Sequence, residues 1–147
     1  MGKVRVGVAI SDQSGLIATP LSTLNRSADI GSTIEALLME VSDYTLVEAF
    51  IGLPLNLAGK ATPSTEDALL FAESLEAVAT FPIRLIDERL TTVTASRNLR
   101  DAGRNAKTSR SVIDQEAATL ILEQALSMER VSGRQPGKSI AEVRDEA

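Results

Sequence analysis

Acidic residues at the end of one apolar run are the first candidates for chemistry. Asp87 and Glu88 occur in IRLIDERL, at the point where a predicted strand leaves its sheet. Ligand sites of α/β proteins lie at such carboxyl ends of strands. The same two residues are also consistent with an exposed acidic pair balanced by Arg84 and Arg89. Their position predicts a site, and the surface alternative stays open.

A further carboxylate, Asp114, occurs in the stretch SVIDQEAA at the start of a predicted apolar helix. Ser111 precedes it with the spacing of a capping box, and the helix dipole favours a carboxylate in the first turn. Asp114 is therefore either part of a helix cap or a side chain that the helix presents to a site.

The composition restricts what these carboxylates can do. The 147 residues include no Cys and no His, which removes thiolate nucleophiles, imidazole bases and the commonest metal ligand. An enzyme built from this chain must use carboxylates, Lys or Tyr, or a hard cation bound by oxygen ligands. Two Mg²⁺ or Mn²⁺ ions that act on a phosphodiester suit such a set, but their site needs at least one more acid.

One basic segment stands out in a chain whose net charge is −5. The overall charge argues against a nucleic-acid partner, because phosphate binding requires local positive charge. Residues 97–110 supply that charge, with only Asp101 opposing their basic side chains, which are Arg97, Arg100, Arg104, Lys107 and Arg110. The segment is either a phosphate-facing surface or a solvated helix face.

A loop with the sequence GLPLNLAGKAT follows another predicted strand. It is not a Walker A loop, because six residues separate Gly52 from Gly59 and Ala61 follows Lys60. Such a loop either brings backbone close to a ligand or simply connects a strand to a helix. A phosphate-binding regulator that uses this loop is one functional alternative.

Apolar periodicity predicts the elements that hold these residues. Three strands are expected in succession, the first starting near residue 3 and the others at residues 16–18 and 19–24, with Pro20 marking an edge or a bulge. Strands are also expected at 46–55 and 83–90, and helices after the caps Asp29 and Thr62, from 91 or 92 to 102, and at 111–128. This order predicts an α/β domain with a mixed five-stranded sheet and helices on both faces.

The chain beyond residue 129 shows no such pattern. The stretch SGRQPGKS is typical of a disordered segment, so the domain is predicted at residues 1–129 and a disordered tail at 130–147. The apolar stretches are far shorter than the roughly 20 residues that cross a bilayer, and no leader precedes the first strand. A cytoplasmic protein without a membrane partner is expected.

Five stretches resemble, in order, the successive motifs of the YqgF/RuvX family. They are GKVRVGVAISD, ATPLSTL, IGLPLNLAGKATP, IDERLTTVTA and SVIDQEAATLIL. The resemblance implies an RNase H-like fold and either nuclease processing of pre-16S rRNA or Holliday junction resolution. It also implies that Glu88 and Asp114 are acidic metal ligands and that Asn56 lies in a loop beside them. The phosphate-facing residues would be Arg97, Arg104, Lys107 and Arg110.

The family's first strand has no counterpart in this sequence. That strand usually ends in a Gly-Ile-Asp-x-Gly-like motif whose Asp is a catalytic carboxylate, and the resemblance here begins at the last glycine, Gly2. Asp12 cannot replace this acid, because ten residues of strand would place it roughly 30 Å from Gly2. We expect a truncated first strand, in which a GTG codon read as an initiator gives Met1. In-frame upstream codons for an apolar strand ending in Asp would support this, and a stop codon would contradict it.

The resemblance favours a metal-dependent nuclease that uses Mg²⁺ or Mn²⁺ to hydrolyse phosphodiester bonds of pre-rRNA. A resolvase acting on branched DNA, and an inactive nucleic-acid-binding or ribosome-assembly factor, are the alternatives. With two of the acids present, the chain as written is expected to lose activity that an extended form retains. The sequence does not distinguish RNA from DNA or a monomer from a dimer.

Overall fold

The computed structural model describes residues 5–90 and 106–146, except for the side chains of residues 90 and 106–113. Four strands and four α-helices follow one another in this part of the chain. In order, the elements are β1 (Arg5–Ser11), β2 (Ala18–Asn25), α1 (Ile30–Glu40), β3 (Ala49–Leu53), α2 (Pro63–Val78), β4 (Ile83–Asp87), a 3₁₀ turn (Glu88–Leu90), α3 (Ala106–Ser132) and α4 (Ile140–Glu146).

β1 and β2 form an antiparallel hairpin. Asp12 shapes its turn, because Oδ1 accepts hydrogen bonds from the backbone N–H of Leu16 at 2.8 Å and of Ile17 at 2.9 Å. These bonds hold residues 16 and 17 in the turn, so the separate strand predicted at 16–18 is wrong. Pro20 was expected to mark an edge or a bulge, and it pairs with Ala9 beside a register shift, which confirms the second of these alternatives.

β3 and β4 are parallel and α2 connects them. The start of α2 is fixed by reciprocal hydrogen bonds between Thr62 and Thr65, with Pro63 in the first turn. α1 begins after Asp29, whose carboxylate accepts a hydrogen bond from the backbone N–H of Gly31. Both helix starts predicted from the sequence are therefore confirmed.

The strands form two separate sheets in the described residues, β1 with β2 and β3 with β4. The predicted five-stranded sheet is not observed, because one predicted strand is a turn and no ladder joins β1 to β3. The helices cover both faces, as predicted. Neighbouring residues of β4 face opposite ways: Leu85 packs in the core with α1, α2 and α4, whereas Ile86 packs against Ala117 and Ile121 of α3.

α3 is longer than predicted and crosses both sheets at very short range. It begins at Ala106 rather than at residue 111. A Cβ added to Gly7 of β1 would lie 2.0 Å from the backbone oxygen of Asp114, and one added to Gly52 of β3 would lie 2.7 Å from Cδ1 of Ile121. These two glycines set how closely α3 approaches the strands.

Residues beyond Ser132, for which disorder is expected, instead fold back onto the domain. Lys138 exchanges two backbone hydrogen bonds with Leu85 of β4, at 2.7 and 2.9 Å. α4 follows, and its Ile140 and Val143 are buried in the core. This segment occupies the outer edge of β4, where an open strand would otherwise present unpaired backbone groups.

Candidate active site

Glu88 lies directly after β4, at the start of the 3₁₀ turn. Its Oε1 is shielded from solvent and lies against β3. A Cβ added to Gly52 would lie 2.7 Å from Oε1 and 3.1 Å from Cγ of Glu88, so any larger residue there would displace the carboxylate. Gly52 therefore provides the space that Glu88 occupies.

Asp87, the last residue of β4, has a different environment. Arg89 donates to its carboxylate from Nε at 3.1 Å and from Nη2 at 2.6 Å, and the backbone N–H of Arg89 donates at 2.9 Å. Burial raises the pKa of Asp87, but these hydrogen bonds and the Arg89 charge outweigh it and hold that pKa below its ordinary value. Arg84 donates instead to the backbone oxygens of Pro136 and Gly137. The exposed acidic pair considered from the sequence is thus resolved into one ion pair, Asp87 with Arg89, and a partly buried Glu88.

Asp114 lies inside α3, so it is not the helix cap that its spacing from Ser111 allowed. Its Oδ2 accepts a hydrogen bond from Nε of Arg5 at 2.8 Å. The two side chains are 15% and 25% exposed, respectively. A partly desolvated ion pair of this kind holds Asp114 at the amino end of β1.

Asp114 and Glu88 lie on the same side of the strands, the side that α3 covers. Gly7 brings β1 against the backbone of Asp114, and Gly52 brings β3 against both Glu88 and Ile121. Ile121 follows Asp114 by seven residues, or about 10 Å along the helix axis. In the described ranges, however, no three His, Cys, Asp or Glu side chains are grouped so that they could hold a metal ion.

Asn56 organises the loop between β3 and α2. Its Oδ1 accepts hydrogen bonds from the backbone N–H of Ala58 at 3.0 Å and of Lys60 at 2.9 Å. Gly59 completes this turn with φ of +78°, and a Cβ there would lie 3.0 Å from Nη1 of Arg89. Since Oδ1 is used within the loop, a contact from Asn56 to a ligand would come from the Nδ2 donors.

The predicted phosphate-facing residues lie before α3 and in its first turns. Arg97 and Arg104 lie outside the described residues. Lys107 and Arg110 belong to the first turns of α3, but their side chains are not among those described. Arg5 is a basic residue that the structure places at the site, and sequence reasoning missed it. Its only sequence signal is a polar position in the alternating first strand, which does not reveal a partner 109 residues away.

The molecule is an α/β protein with two carboxylates on one side of its strands, beside the end of its parallel pair. The chain belongs to the RuvX family: the model of that family, described as "Holliday junction resolvase", matches residues 1–128. This membership confirms the resemblance found in the sequence motifs.

Several bacterial relatives are similar to almost the whole chain. A protein of Leifsonia xyli subsp. xyli is 48% identical over 140 residues, which are 95% of this chain and 90% of the relative. Proteins of Streptomyces coelicolor and of a Nocardioides species are each 44% identical, over 97% of this chain and 86% and 93% of the relatives. All three carry the name "Putative pre-16S rRNA nuclease". Among the described residues, no helix is both long and apolar enough to span a membrane.

Proposed function

We propose that this protein is a cytoplasmic, metal-dependent nuclease that hydrolyses phosphodiester bonds during processing of the 5′ end of pre-16S rRNA. The observation that carries the proposal is the placement of Glu88 and Asp114 on one side of the strands beneath α3. Family membership and the names of the relatives support the reaction class and the substrate.

The two carboxylates fit a hard divalent cation by donor chemistry, although not by number. Oxygen ligands are those that Mg²⁺ and Mn²⁺ prefer, and Glu88 has a carboxylate oxygen shielded from solvent. When bound, such an ion polarises the phosphate and makes water a stronger nucleophile near neutral pH. The Arg5 guanidinium neutralises Asp114 in this structure, so ion binding there must displace Arg5 or share the carboxylate with it.

A further strand would complete both the sheet and the site. In the proposed RNase H-like arrangement, a strand between β1 and β3 joins the two sheets into one mixed five-stranded sheet. Its last residue, an Asp, would be the additional acid that the Glu88 and Asp114 pair requires. In the described residues, β1 and β2 would lie on one side of this strand, and β3 and β4 on the other.

Substrate contacts are assigned to the loop and to the basic segment. Asn56 would donate from Nδ2 to a phosphate or a sugar oxygen near the site. Basic side chains ahead of and within the first turns of α3 would neutralise backbone phosphates, namely Arg97, Arg104, Lys107 and Arg110. Such contacts position a nucleic acid without reading its sequence, so pre-rRNA and branched DNA are both candidate substrates.

Cleavage of a 5′-extended 16S precursor RNA and of a four-way DNA junction in Mg²⁺ tests the proposal. Two forms are compared: this chain and one extended upstream with an apolar strand ending in Asp. We expect the extended form to cleave the RNA, and Glu88→Gln to lower the rate by roughly 100-fold or more. The matched control is Glu123→Gln, an exposed carboxylate on α3. Equal activities of the two variants would show that Glu88 does not act in catalysis.

A binding protein without nuclease activity is the second candidate. Two observations favour it: Asp114 is already paired with Arg5, and the described residues contain no group of three acids. Salt-dependent RNA binding by both forms, with cleavage by neither, would establish this role and contradict the nuclease.

A further inference from the structure

Arg89 lies between two segments of the candidate site. It follows Glu88 in the 3₁₀ turn after β4, and its guanidinium lies beside Gly59 in the loop after β3. The parallel pairing of β3 and β4 brings these segments together, because Leu53 at the end of β3 lies opposite Asp87 at the end of β4. Arg89 therefore connects the turn that carries Glu88 to the loop between β3 and α2.

The guanidinium of Arg89 uses only one of its edges within the protein. Nε and Nη2 donate to the Asp87 carboxylate, at 3.1 and 2.6 Å, and these bonds fix the orientation of the group. Among the described residues, Nη1 has no hydrogen-bond acceptor, and the Arg89 side chain is 40% exposed. A guanidinium carries N–H donors on all three nitrogens, so those of Nη1 remain for a ligand.

Two other arginines of the described fold use both terminal nitrogens. Arg144 donates from Nη1 to Glu66 at 2.6 Å and from Nη2 to Glu73 at 2.5 Å, which ties α4 to α2. Arg26 donates from both terminal nitrogens to Asp67, at 2.7 and 3.2 Å. These guanidinium groups hold elements of the fold together. The exposed guanidinium edge after β4 has no such use within the described residues.

The surroundings of Nη1 suit an anion. A Cβ added to Gly59 would lie 3.0 Å from Nη1 and 3.4 Å from Cζ, so the guanidinium packs directly on the loop backbone. Lys60 follows Gly59 and is exposed. The Nδ2 donors of Asn56 belong to the same turn, because Oδ1 is used by the loop itself. Guanidinium, ammonium and amide N–H groups all donate, and charge-assisted bonds of this kind favour the oxygens of a phosphate.

We infer that Nη1 of Arg89 binds a phosphate of the substrate backbone beside Lys60 and Asn56. Asp87 is a positioning residue, because it holds the guanidinium in the orientation for this contact. The inference rests on the proposed function, since the ligand is the phosphodiester backbone of a nucleic acid. RNA and DNA share that backbone, so the contact places either substrate next to Glu88 without reading its sequence. A guanidinium that is already held on one edge loses less conformational freedom when it binds on the other.

Binding of a 5′-extended 16S precursor RNA to the whole chain, measured without divalent ions over a range of salt concentrations, tests this inference. For Arg89→Gln we expect roughly tenfold weaker binding at low salt, because a charge-assisted hydrogen bond is lost. The slope of log affinity against log salt should fall by about 0.7–0.9, the value for one phosphate contact. Arg130→Gln removes the same charge at an exposed position in the last turn of α3 and should leave the affinity and the slope nearly unchanged.

Arg89→Lys separates the charge from the geometry of the guanidinium. Its ammonium keeps the positive charge but has no second edge, so we expect most of the salt slope to remain while binding weakens severalfold. Equal affinities of Arg89→Gln and Arg130→Gln would overturn the inference. Weaker binding of Arg89→Gln with an unchanged slope and faster hydrogen exchange of amides 58 and 60 would overturn it too, because Arg89 would then only brace the loop.

The same measurements distinguish this inference from the proposed function. RNA binding that depends on Arg89, together with no cleavage by the upstream-extended form, would contradict the nuclease and support the phosphate contact. Cleavage by the extended form, with Arg89→Gln binding RNA as the unaltered chain does, would support the nuclease and overturn the phosphate contact. A chain that binds no RNA at any salt concentration would overturn both.

Discussion

The contact between β1 and α3 predicts an unusually costly glycine substitution. In Gly7→Ala, the new Cβ would lie 2.0 Å from the backbone oxygen of Asp114 and 2.4 Å from its carbonyl carbon. Carbon and other heavy atoms pack at roughly 3.5 Å, so β1 and α3 must separate locally by more than about 1 Å. Backbone on both sides cannot rotate away. We therefore expect a loss of about 3 kcal/mol, the upper part of the range for overpacking.

Two other glycines calibrate this magnitude. In Gly52→Ala the new Cβ meets the flexible ends of Glu88 and Ile121, each at 2.7 Å, so a loss of about 1 kcal/mol is expected. Gly31→Ala meets only the Asp29 carboxylate at 3.5 Å, which is ordinary contact, and a helix favours Ala over Gly. Its stability should stay the same or rise slightly.

Urea denaturation followed by circular dichroism measures all three variants. With a slope of about 1–3 kcal/mol per molar urea, a loss of 3 kcal/mol lowers the midpoint by about 1 M or more. If Gly7→Ala costs no more than Gly52→Ala, α3 does not rest on the backbone of β1, and the position assigned to Asp114 is wrong.

Three further predictions concern single side chains. Arg5→Ala should cost about 1 kcal/mol, because the Asp114 pair is partly desolvated, and should raise Mn²⁺ affinity measured by calorimetry; unchanged affinity would show that Arg5 does not compete with the ion. Hydrogen bonds from Ile17 and Ser14 lower the pKa of Asp12 from 3.8 to about 2. This carboxylate stabilises the fold above pH 4 and ceases to do so as pH falls toward 2, so Asp12→Asn should make unfolding less pH-dependent in that window. Ser139→Ala removes the cap of α4 and should cost about 1 kcal/mol locally, measured by faster exchange of amides 140–146.

Local patterns predicted the helix starts and most strands because their causes are local. Asp29 and Thr62 cap their helices through backbone groups two or three residues away, so their types and spacing were sufficient. The strand predicted at 16–18 is absent because the Asp12 carboxylate accepts hydrogen bonds from the backbone N–H of Leu16 and Ile17, four and five residues further along the chain. The alternation of apolar and polar residues does not show where a side chain will form hydrogen bonds with the backbone.

The start of α4 has a capping signal in the sequence, although disorder was predicted for residues 130–147. Ser139 and Glu142 have capping-box spacing, and each side chain bonds the other's backbone N–H at 3.2 Å. Ile140 and Val143 then fall on one helical face. A seven-residue helix with two apolar residues is too short to stand out by periodicity. Its stability comes from packing on the domain.

The sequence predicted which residues belong to the candidate site, but it did not predict how they are arranged. Strand and helix patterns located Glu88 and Asp114, whereas the ion pair from Arg5 spans 109 residues and depends on tertiary packing. The space for Glu88 also depends on a glycine in another strand. Neither relationship leaves a periodic trace in one sequence.

The fold-back of residues 133–146 affects how this protein tolerates shortening. Gly137 takes φ of +76°, and a Cβ there would lie 2.4 Å from the backbone oxygen of Leu85, so the chain passes β4 as bare backbone. Cutting the chain after the long helix would expose the outer edge of β4, a buried, apolar strand, and would remove the partner of the backbone N–H and C=O of Leu85. An exposed strand edge can pair with a strand of another chain and form an intermolecular sheet. Removal of residues 133–146 should therefore promote self-association in addition to lowering the stability of the fold.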